Sequence, residues 1–420
     1  MTQETQSPPP AAVSRFSAWF EACPHQLAVV ALCSILLTLA ISFRTDALVP
    51  GSLYWDTPAD HQKYFYMATH PLGSYHIQPF CWRIAVPTLA GNLPMPTLAA
   101  FRLITLLSIS AIGTLLFAWL RLLSVPSTHA LLGVIMLYSY GSVSKLLIAF
   151  NLSPDPASYV CILLALIFIK KRMDWAFALI LVVGVCVKET VSLMGPLFYT
   201  LRTRKLFDGP LLLRTILVGL PALAMLLTIR VLIPAWNNDP AYVSSLPGLY
   251  TEVAYGQAPY DIWDGLKGNF EFYQHMSPIN ILRLFTFGSL GILLFLPFLD
   301  PERNKPLLLR WLPYVGMVGA SLLIALNADR RIGSCFPVIL LAGLQGLESL
   351  SRKLRIPIEW FQIAFLLQFG LLILKRDVII VPFDLAAAVF LACLVWMYLR
   401  RTRMDRQGVS NIGAPPAKKY

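Results

Sequence analysis

Charged residues are scarce in this chain, and their scarcity excludes an ordinary soluble domain. They make up 13% of the 420 residues, against about 25% in a typical soluble protein. Hydrophobic residues make up 57%, and the mean hydropathy is +0.64. Because a spanning helix needs about 20 apolar residues and satisfies its own backbone groups in lipid, this composition predicts an all-α fold, a polytopic bundle of transmembrane helices.

The chain also lacks the signature motifs of several enzyme classes. It has no P-loop, no glycine-rich nucleotide fingerprint and no nucleophile elbow, which argues against ATP-driven transport and serine hydrolysis. We find no internal repeat and no separate soluble domain. The polar, proline-rich residues 1–25 do not read as a cleavable signal, because no small-residue cleavage site follows the first apolar run.

The seven cysteines show no metal-ligand spacing. Most lie in apolar runs, so we interpret them as small buried hydrophobic residues. Cys81 and Cys335 are both expected near the outer face, and the sequence leaves open whether they form a disulfide.

The apolar runs predict about 10–12 spans, with short runs as the least certain boundaries. We place the spans at residues 26–43, 96–120, 128–150, 157–170, 174–187, 190–201, 211–234, 281–299, 307–326, 333–349, 358–375 and 383–400. The two short runs on either side of Lys188-Glu189 can instead form one broken or re-entrant element.

These spans divide the chain into three parts. We expect a cytoplasmic, disordered N-terminus at 1–25, a transmembrane domain at 26–400 with outer loops 44–95 and 235–280, and a basic cytoplasmic tail at 401–420. The second outer loop is rich in aromatic residues, proline and glycine, which predicts a partly irregular segment at headgroup level.

The net charge of +12 is explained by orientation. With the N-terminus inside, nearly every short inner loop is basic, as in Lys170-Lys171-Arg172 and Arg202/Arg204/Lys205. A nucleic-acid role is excluded, because these residues are spread over separate loops on one face. The prediction is a multi-pass membrane protein with both termini cytoplasmic and a polar outer face.

The first outer loop carries most of the chemically useful residues. Thr57 is a candidate N-cap for a short helix that places Asp60 and Tyr64 on one face. Asp60 can act as a general base for a hydroxyl at the membrane surface, or it can merely complete a capping box with Thr57. Asp56 is the alternative base, and the two acids with His61 can also hold a divalent metal.

Three further charged residues lie near predicted span ends. Arg83, flanked by prolines and aromatics, can bind a phosphate, or it can be a snorkelling arginine. Lys188 and Glu189 interrupt an apolar stretch, and a charge at the centre of a spanning helix costs about 2.5–3.5 kcal/mol. We favour a turn or broken helix there, with separate partners for the two neighbours.

A last polar group lies between two later spans. Asp329, Arg330 and Arg331 can clamp a phosphate or diphosphate, or they can form a capped loop with a local ion pair. Asp155 can be a second site acid or an N-cap, and we favour the cap. The histidines of the outer loops have no ligand spacing, and we interpret them as ordinary loop residues: His70, His76 and His275.

Two motifs resemble those of a known superfamily. The pattern D-x-x-x-Y-x-x-M-A begins at Asp60, and P-F-x-x-R-x-x-x-P-x-L-A begins at Pro79. Together with Lys188-Glu189 and Asp329-Arg330, they resemble polytopic bacterial membrane proteins of the GT-C glycosyltransferase superfamily. The sequence departs from the superfamily in two ways. The first-loop acids Asp56 and Asp60 stand four residues apart rather than as an adjacent pair, and the large soluble C-terminal domain of some members is lacking.

The resemblance implies an enzyme of the bacterial inner membrane with a periplasmic or extracellular active face. It would move a sugar from a polyprenyl-phosphate carrier to a glycan, lipid or protein acceptor. Independently of the resemblance, a single displacement with inversion is the expected course, and the sequence indicates no cofactor beyond the divalent metal that the first-loop acids and His61 can hold. Asp60 best matches the catalytic acid, and Asp56 is its alternative. Substrate or phosphate binding is predicted for Arg83, Lys188, Glu189, Arg330, Arg331, Tyr64, Asp155 and Asp329.

Two rival functions stay open at this point. A secondary transporter should show repeat symmetry and midplane polar residues in both halves, whereas the polar residues here crowd one face. A polysaccharide polymerase or ligase that uses lipid-linked substrates would need the same face and a similar phosphate clamp.

Overall fold

The computed structural model describes residues 15–46, 60–203, 205, 207–253, 256–257, 262–278, 280, 290–322, 328–354 and 356–374. In these ranges the α-helices are α1 (Arg15–Ala22), α2 (Gln26–Phe43), α3 (Asp60–Thr69), α4 (Ala85–Asn92), α5 (Thr97–Leu122), α6 (Ser127–Tyr138), α7 (Lys145–Ala149), α8 (Asp155–Lys171), α9 (Asp174–Val187), α10 (Gly195–Arg202), α11 (Gly209–Leu232), α12 (Pro240–Ser245), α13 (Gly248–Thr251), α14 (Ile262–His275), α15 (Pro301–Leu322), α16 (Ala328–Ser334), α17 (Phe336–Leu354) and α18 (Ile358–Leu374).

Helices account for nearly all regular structure in these ranges, so the predicted all-α class is confirmed. Short 3₁₀ helices lie at Phe80–Trp82, Glu189–Met194, Gly291–Leu294 and Leu296–Leu299. A two-residue strand, β1 (Glu252–Val253), pairs antiparallel with β2 (Gly256–Gln257) in the second of the predicted outer loops.

Three described helices are long and apolar enough to cross a membrane: α2, α5 and α11. The apolar helices α6, α9 and α18 are shorter. Helix α11 is the least covered of the three, since only 11% of its apolar window is buried inside the protein. Leucine and isoleucine side chains therefore face outward along most of α11, as expected of a helix in contact with lipid.

Several predicted spans are not continuous helices. The run 128–150 breaks between Tyr138 and Lys145, where the Ser139 hydroxyl donates to the carbonyl groups of Ile135 and Phe365. The run 190–201 begins as a 3₁₀ helix, and α10 starts only at Gly195. The described part of 281–299 forms two 3₁₀ helices, and the second has Pro297 in its first turn. The run 383–400 lies outside the described residues.

The N-terminal segment differs from the expectation of disorder, because α1 lies within residues 1–25. The Phe20 ring is buried and meets Phe117 edge-on, with ring centroids 6.2 Å apart. The Ser17 hydroxyl also donates to Glu359 at the start of α18. An amphipathic turn with one buried aromatic face is thus enough to order this helix against α5 and α18.

Helices α8 and α9 form an antiparallel hairpin with differently charged residues at its two ends. They are joined by Arg172 and Met173, with Arg172 in the left-handed conformation at φ 57°. Helix α8 has 17 residues, so it is about 25 Å long. Asp155 lies at its beginning beside Lys188, which follows α9. The basic residues of the connecting turn therefore lie at the opposite end of the hairpin.

The two predicted outer loops dock against each other. The ring of His76 stacks on Trp236 with centroids 3.6 Å apart, and its backbone N–H donates to Tyr242. The Trp82 indole donates to the carbonyl of Ile233 over 3.0 Å. His76 is thus a buried packing residue rather than an ordinary loop residue. Its contacts hold the segment before Arg83 in place.

Candidate active site

A network of charged side chains gathers at one end of the α8–α9 hairpin. Five separate segments supply it: the start of α3, the residue after the Phe80–Trp82 3₁₀ helix, the start of α8, the break after α9, and α16. We call it the charged network, and its members are Asp60, Tyr64, Arg83, Asp155, Lys188, Glu189 and Arg330.

Arg330 is the residue that connects the two acids of the network. Its Nη2 lies 2.7 Å from Asp60 Oδ2, and its Nη1 lies 3.1 Å from Asp155 Oδ2. The Tyr159 hydroxyl donates to the backbone carbonyl of Arg330 over 2.6 Å. A Cβ on Gly333 would lie 2.9 Å from that hydroxyl. Tyr159 and Gly333 together fix the position of α16, and hence of the Arg330 guanidinium.

Asp155 does not cap α8, so the cap interpretation is wrong. The N-cap residue of α8 is Pro154, with no side-chain cap hydrogen bond. The Asp155 carboxylate instead pairs with Lys188 and accepts a 2.7 Å hydrogen bond from Ser153. Burial alone would raise the pKa of this 1% exposed acid, but Lys188 and Arg330 outweigh burial and hold the pKa far below its ordinary value.

Arg83 is not a snorkelling arginine, because its guanidinium is buried and fully engaged. Its Nε and Nη2 donate to Glu189 over 2.9 and 2.6 Å, and its Nη1 donates to the Tyr64 hydroxyl over 2.7 Å. Burial favours the neutral form of Glu189, but Arg83 reverses that effect and lowers the pKa to about 2. Arg83, Glu189 and Tyr64 thus form a hydrogen-bonded group, and the charge of Arg83 acts on Asp60.

The predicted break at Lys188 and Glu189 is confirmed. Helix α9 ends at Val187, and Lys188 is extended at φ −161° before the 3₁₀ helix begins at Glu189. Because Lys188 is extended, its side chain and that of Glu189 reach separate partners. Lys188 pairs with Asp155, and Glu189 pairs with Arg83. Gly184 permits the sharp return, since a Cβ there would lie 2.3 Å from Val191 Cγ1.

Asp60 is the first residue of α3, the short helix that the sequence predicts in this loop. Burial would raise its pKa, but Arg330, Lys63 and Arg83 hold the pKa below the ordinary value. Asp60 is therefore a carboxylate at neutral pH, and its ion pair reduces its basicity. The predicted cap Thr57 and the alternative base Asp56 lie outside the described residues.

Arg331 is half-buried like Arg330, but it differs from Arg330 because its guanidinium has no ion pair or hydrogen bond within the described part of the chain. Burial lowers its pKa, and Arg83 lowers the pKa further. Arg331 thus carries a positive charge beside the network with no acid assigned to it. The backbone of Asp329 belongs to α16, and its side chain lies outside the description.

Lys63 is a member of this region that sequence reasoning missed. It is fully buried, its Nζ lies 4.8 Å from the centre of the Phe80 ring, and its charge acts on Asp60. The signal was present, because a residue three positions after Asp60 lies on the same helix face. Among the described residues of this region, the cations outnumber the acids by two. The cations are Lys63, Arg83, Lys188, Arg330 and Arg331, and the acids are Asp60, Asp155 and Glu189.

The candidate metal site of Asp56, Asp60 and His61 falls partly outside the described residues, which do not include Asp56. Within the described ranges, no group of three or more His, Cys, Asp and Glu residues has the geometry to hold a metal ion. Cys81 and Cys335 are both buried free thiols, so they do not form a disulfide with each other.

Neither a protein-family model nor a curated protein matches the chain in sequence comparisons. The chemistry of the charged network therefore carries the functional inference.

Proposed function

We propose that this protein is a membrane glycosyltransferase that moves a sugar from a polyprenyl-phosphate donor to an acceptor hydroxyl. One observation carries the proposal: Arg330 holds Asp60 in an ion pair, while the adjacent Arg331 has no acid of its own in the described chain. Arg330 is thus the ion-pair partner of the candidate base and the sequence neighbour of an unpaired cation. The motif resemblance to the GT-C superfamily points to the same chemistry.

The excess of cations suits an anionic substrate. Among the described residues of this region the cations exceed the acids by two. A buried group of charges with such an excess is stabilised when an anion enters it. A phosphate group offers several oxygen acceptors, and arginine can engage two of them at once. Arg331 provides the first contact, because binding there breaks no existing ion pair. Arg330 provides the second contact, at the cost of its bond to Asp60.

This exchange explains how a paired carboxylate becomes a base. When the donor phosphate takes over Arg330, Asp60 loses its strongest neutralising partner, and its basicity rises. Asp60 then accepts the proton of the acceptor hydroxyl. The acceptor oxygen attacks the anomeric carbon from the face opposite the phosphate, and the carbon–oxygen bond to the phosphate breaks with inversion. The electron pair of that bond stays on the phosphate, where the arginines stabilise the added charge.

The location of the charged network suits a lipid-anchored donor. The network lies at the end of the α8–α9 hairpin, about 25 Å from the connecting turn, which approaches the roughly 30 Å thickness of a bilayer core. A phosphate on a polyprenyl chain lies at the headgroup level, where such a helix end would be. Exposed apolar helices such as α11 leave the carrier chain free to remain in lipid.

The direct test is sugar transfer in membranes that contain the full-length protein. Radiolabelled sugars on polyprenyl monophosphate and diphosphate serve as donors, and product formation is measured for the wild type and for Asp60→Asn. Because general-base catalysis contributes about 10²–10⁴-fold, we expect Asp60→Asn to lose at least a hundredfold in rate. Glu271→Gln, an exposed acid on α14, is the matched control and should retain full activity.

The possible results separate the role of Asp60 from the class of enzyme. Full activity of Asp60→Asn would remove Asp60 as the base and transfer that role to Asp56. Absence of a donor-dependent product from the wild type with every donor in the panel would contradict the glycosyltransferase proposal as a whole.

A secondary transporter is the second candidate, favoured by the helix break beside Lys188. Broken helices next to charged residues are typical of substrate sites in transporters, and the chain also breaks between α6 and α7. Uptake of polar solutes into proteoliposomes tests this function. Uptake that depends on Lys188 and proceeds without sugar transfer would favour the transporter over the enzyme.

A further inference from the structure

A second cluster of charges lies at the other end of the α8–α9 hairpin, away from the charged network. We call it the basic cluster. Its cations come from the α8–α9 turn, the end of α10, the segment after α10 and the start of α11: Lys170, Lys171, Arg172, Arg202, Lys205 and Arg214. Two acids lie among them, Asp174 and Asp208, and Asp208 is engaged as the N-cap of α11.

Asp174 organises two of these arginines. Its Oδ1 lies 2.6 Å from Arg202 Nη1, and its Oδ2 accepts from Arg214 Nε. Arg202 is further fixed by the carbonyl of Ile169 and by the ring of Phe198, which lies 3.9 Å from its guanidinium carbon. Arg214 is 61% exposed, and within the described chain only its Nε is used. Its terminal nitrogens make no hydrogen bond or ion pair within the described residues and are therefore available to an anion.

The surface next to the basic cluster is apolar in two parallel stripes. On α9 the exposed side chains recur every fourth residue, at Trp175, Leu179 and Val183. On α11 the exposed face includes Leu213 and Leu217 and continues along the helix. The two helices pack against each other, and both begin at the basic cluster, as the contact between Asp174 and Arg214 requires. The stripes thus run from the cations toward the middle of the hairpin.

We propose that the basic cluster and these stripes bind an anionic phospholipid. Its phosphate would contact Arg214 and the two lysines at the end of α8, Lys170 and Lys171. The acyl chains would lie along the exposed faces of α9 and α11. The six cations outnumber the two acids, so a headgroup with net negative charge fits better than a zwitterionic one. Exposed Trp175 and Phe207 stand where aromatic side chains mark the interface of a bilayer. The proposal concerns lipid recognition alone and does not depend on sugar transfer.

The experiment measures lipid binding to the purified full-length protein in detergent by native mass spectrometry. Phosphatidylglycerol, phosphatidylcholine and inorganic phosphate are the three probes. We expect phosphatidylglycerol to bind most tightly. One basic residue near an anionic headgroup contributes about fivefold in affinity, from roughly 1 kcal/mol per residue. Arg214→Gln and Lys171→Gln should each weaken phosphatidylglycerol binding by about that factor, and the double variant by their product.

Arg352→Gln is the matched control, because Arg352 is also an exposed arginine in a predicted inner loop, at the end of α17. It should leave phosphatidylglycerol binding unchanged. An equal loss in Arg352→Gln would show general electrostatic attraction and overturn the site. Equal binding of phosphatidylglycerol and phosphatidylcholine would also overturn it. Binding of inorganic phosphate as tight as that of phosphatidylglycerol would overturn it as well. Lys171 is exposed and makes no side-chain hydrogen bond or ion pair within the described residues, so Lys171→Gln keeps the test valid if Arg214→Gln is unstable.

Discussion

Asp60 and Arg330 form a 2.7 Å ion pair between residues that are 270 positions apart in the chain. The same guanidinium also reaches Asp155, so the pair ties the start of α3 to the start of α8. A contact this distant in sequence means that the first loop and α16 must be folded together before the charged network exists.

Substitution of Arg331 should affect substrate binding more than stability. Arg331→Gln removes a cation that has no ion pair in the described chain, so the melting temperature should change little. A charged hydrogen bond contributes about 1.5–3 kcal/mol, which predicts a rise of about ten- to a hundredfold in the KM for the lipid-linked donor. Arg330→Gln is the comparison, since it should lower both the melting temperature and kcat. Equal destabilisation by the two variants would contradict the difference in pairing.

Asp155 and Lys188 should show strong coupling in a double-mutant cycle. Asp155→Ala leaves the largely buried Lys188 without its carboxylate, and breaking one partner of a buried pair costs about 3–5 kcal/mol. Lys188→Met removes the uncompensated charge, so the double variant should be more stable than Asp155→Ala alone. The free energy of unfolding of the four proteins in detergent gives the coupling. Additive effects of the two substitutions would show that the pair contributes nothing specific.

The Arg83–Glu189 pair should make stability sensitive to acid. The pKa of Glu189 is about 2 in the folded protein, against 4.5 as the ordinary value. A carboxyl group with a lowered pKa contributes its full stabilisation above pH 4.5 and loses it as the pH falls toward about 2. Glu189→Gln should therefore lose stability at pH 7 and show a smaller further loss between pH 4.5 and 3 than the wild type. Melting temperatures across this range are the measurement, with Glu271→Gln expected to follow the wild-type curve.

Gly333 should matter for activity although it carries no functional group. In Gly333→Ala, the new methyl group would lie 2.9 Å from the Tyr159 hydroxyl, so the Tyr159 ring or α16 must shift. Either shift disturbs the hydrogen bond from Tyr159 to the Arg330 carbonyl. We expect a loss of about tenfold or more in kcat/KM, since small displacements of positioning groups are costly. Gly316→Ala in α15 is the matched control, because a Cβ there meets nothing within 4 Å. A normal rate in Gly333→Ala would mean that α16 tolerates the shift.

The fold was predictable where it depends on apolar composition over a long run. The span at 26–43 coincides with α2, and the span at 174–187 coincides with α9. The break within 128–150 was not predictable in the same way, because Ser139 ends α6 partly through a carbonyl of α18, 226 positions away. Hydropathy describes how a segment partitions, and it contains no information about hydrogen bonds that a distant helix supplies.

The candidate site shows the same division. The sequence indicated that Lys188 and Glu189 need separate partners, because adjacent residues face different directions. It did not indicate which acid Lys188 would take, and the favoured cap interpretation led away from Asp155. Pairing between α8, α9 and α16 follows from the way the helices pack, which a single sequence does not specify. Lys63 was overlooked because a lysine in a loop is normally exposed.

The hairpin of α8 and α9 connects the two charged regions of the molecule. Asp155 and Lys188 stand at one tip, and the turn with Asp174 stands at the other. If the packed pair tilts as a unit, both tips move together, so the hairpin links the positions of the charged network and the basic cluster.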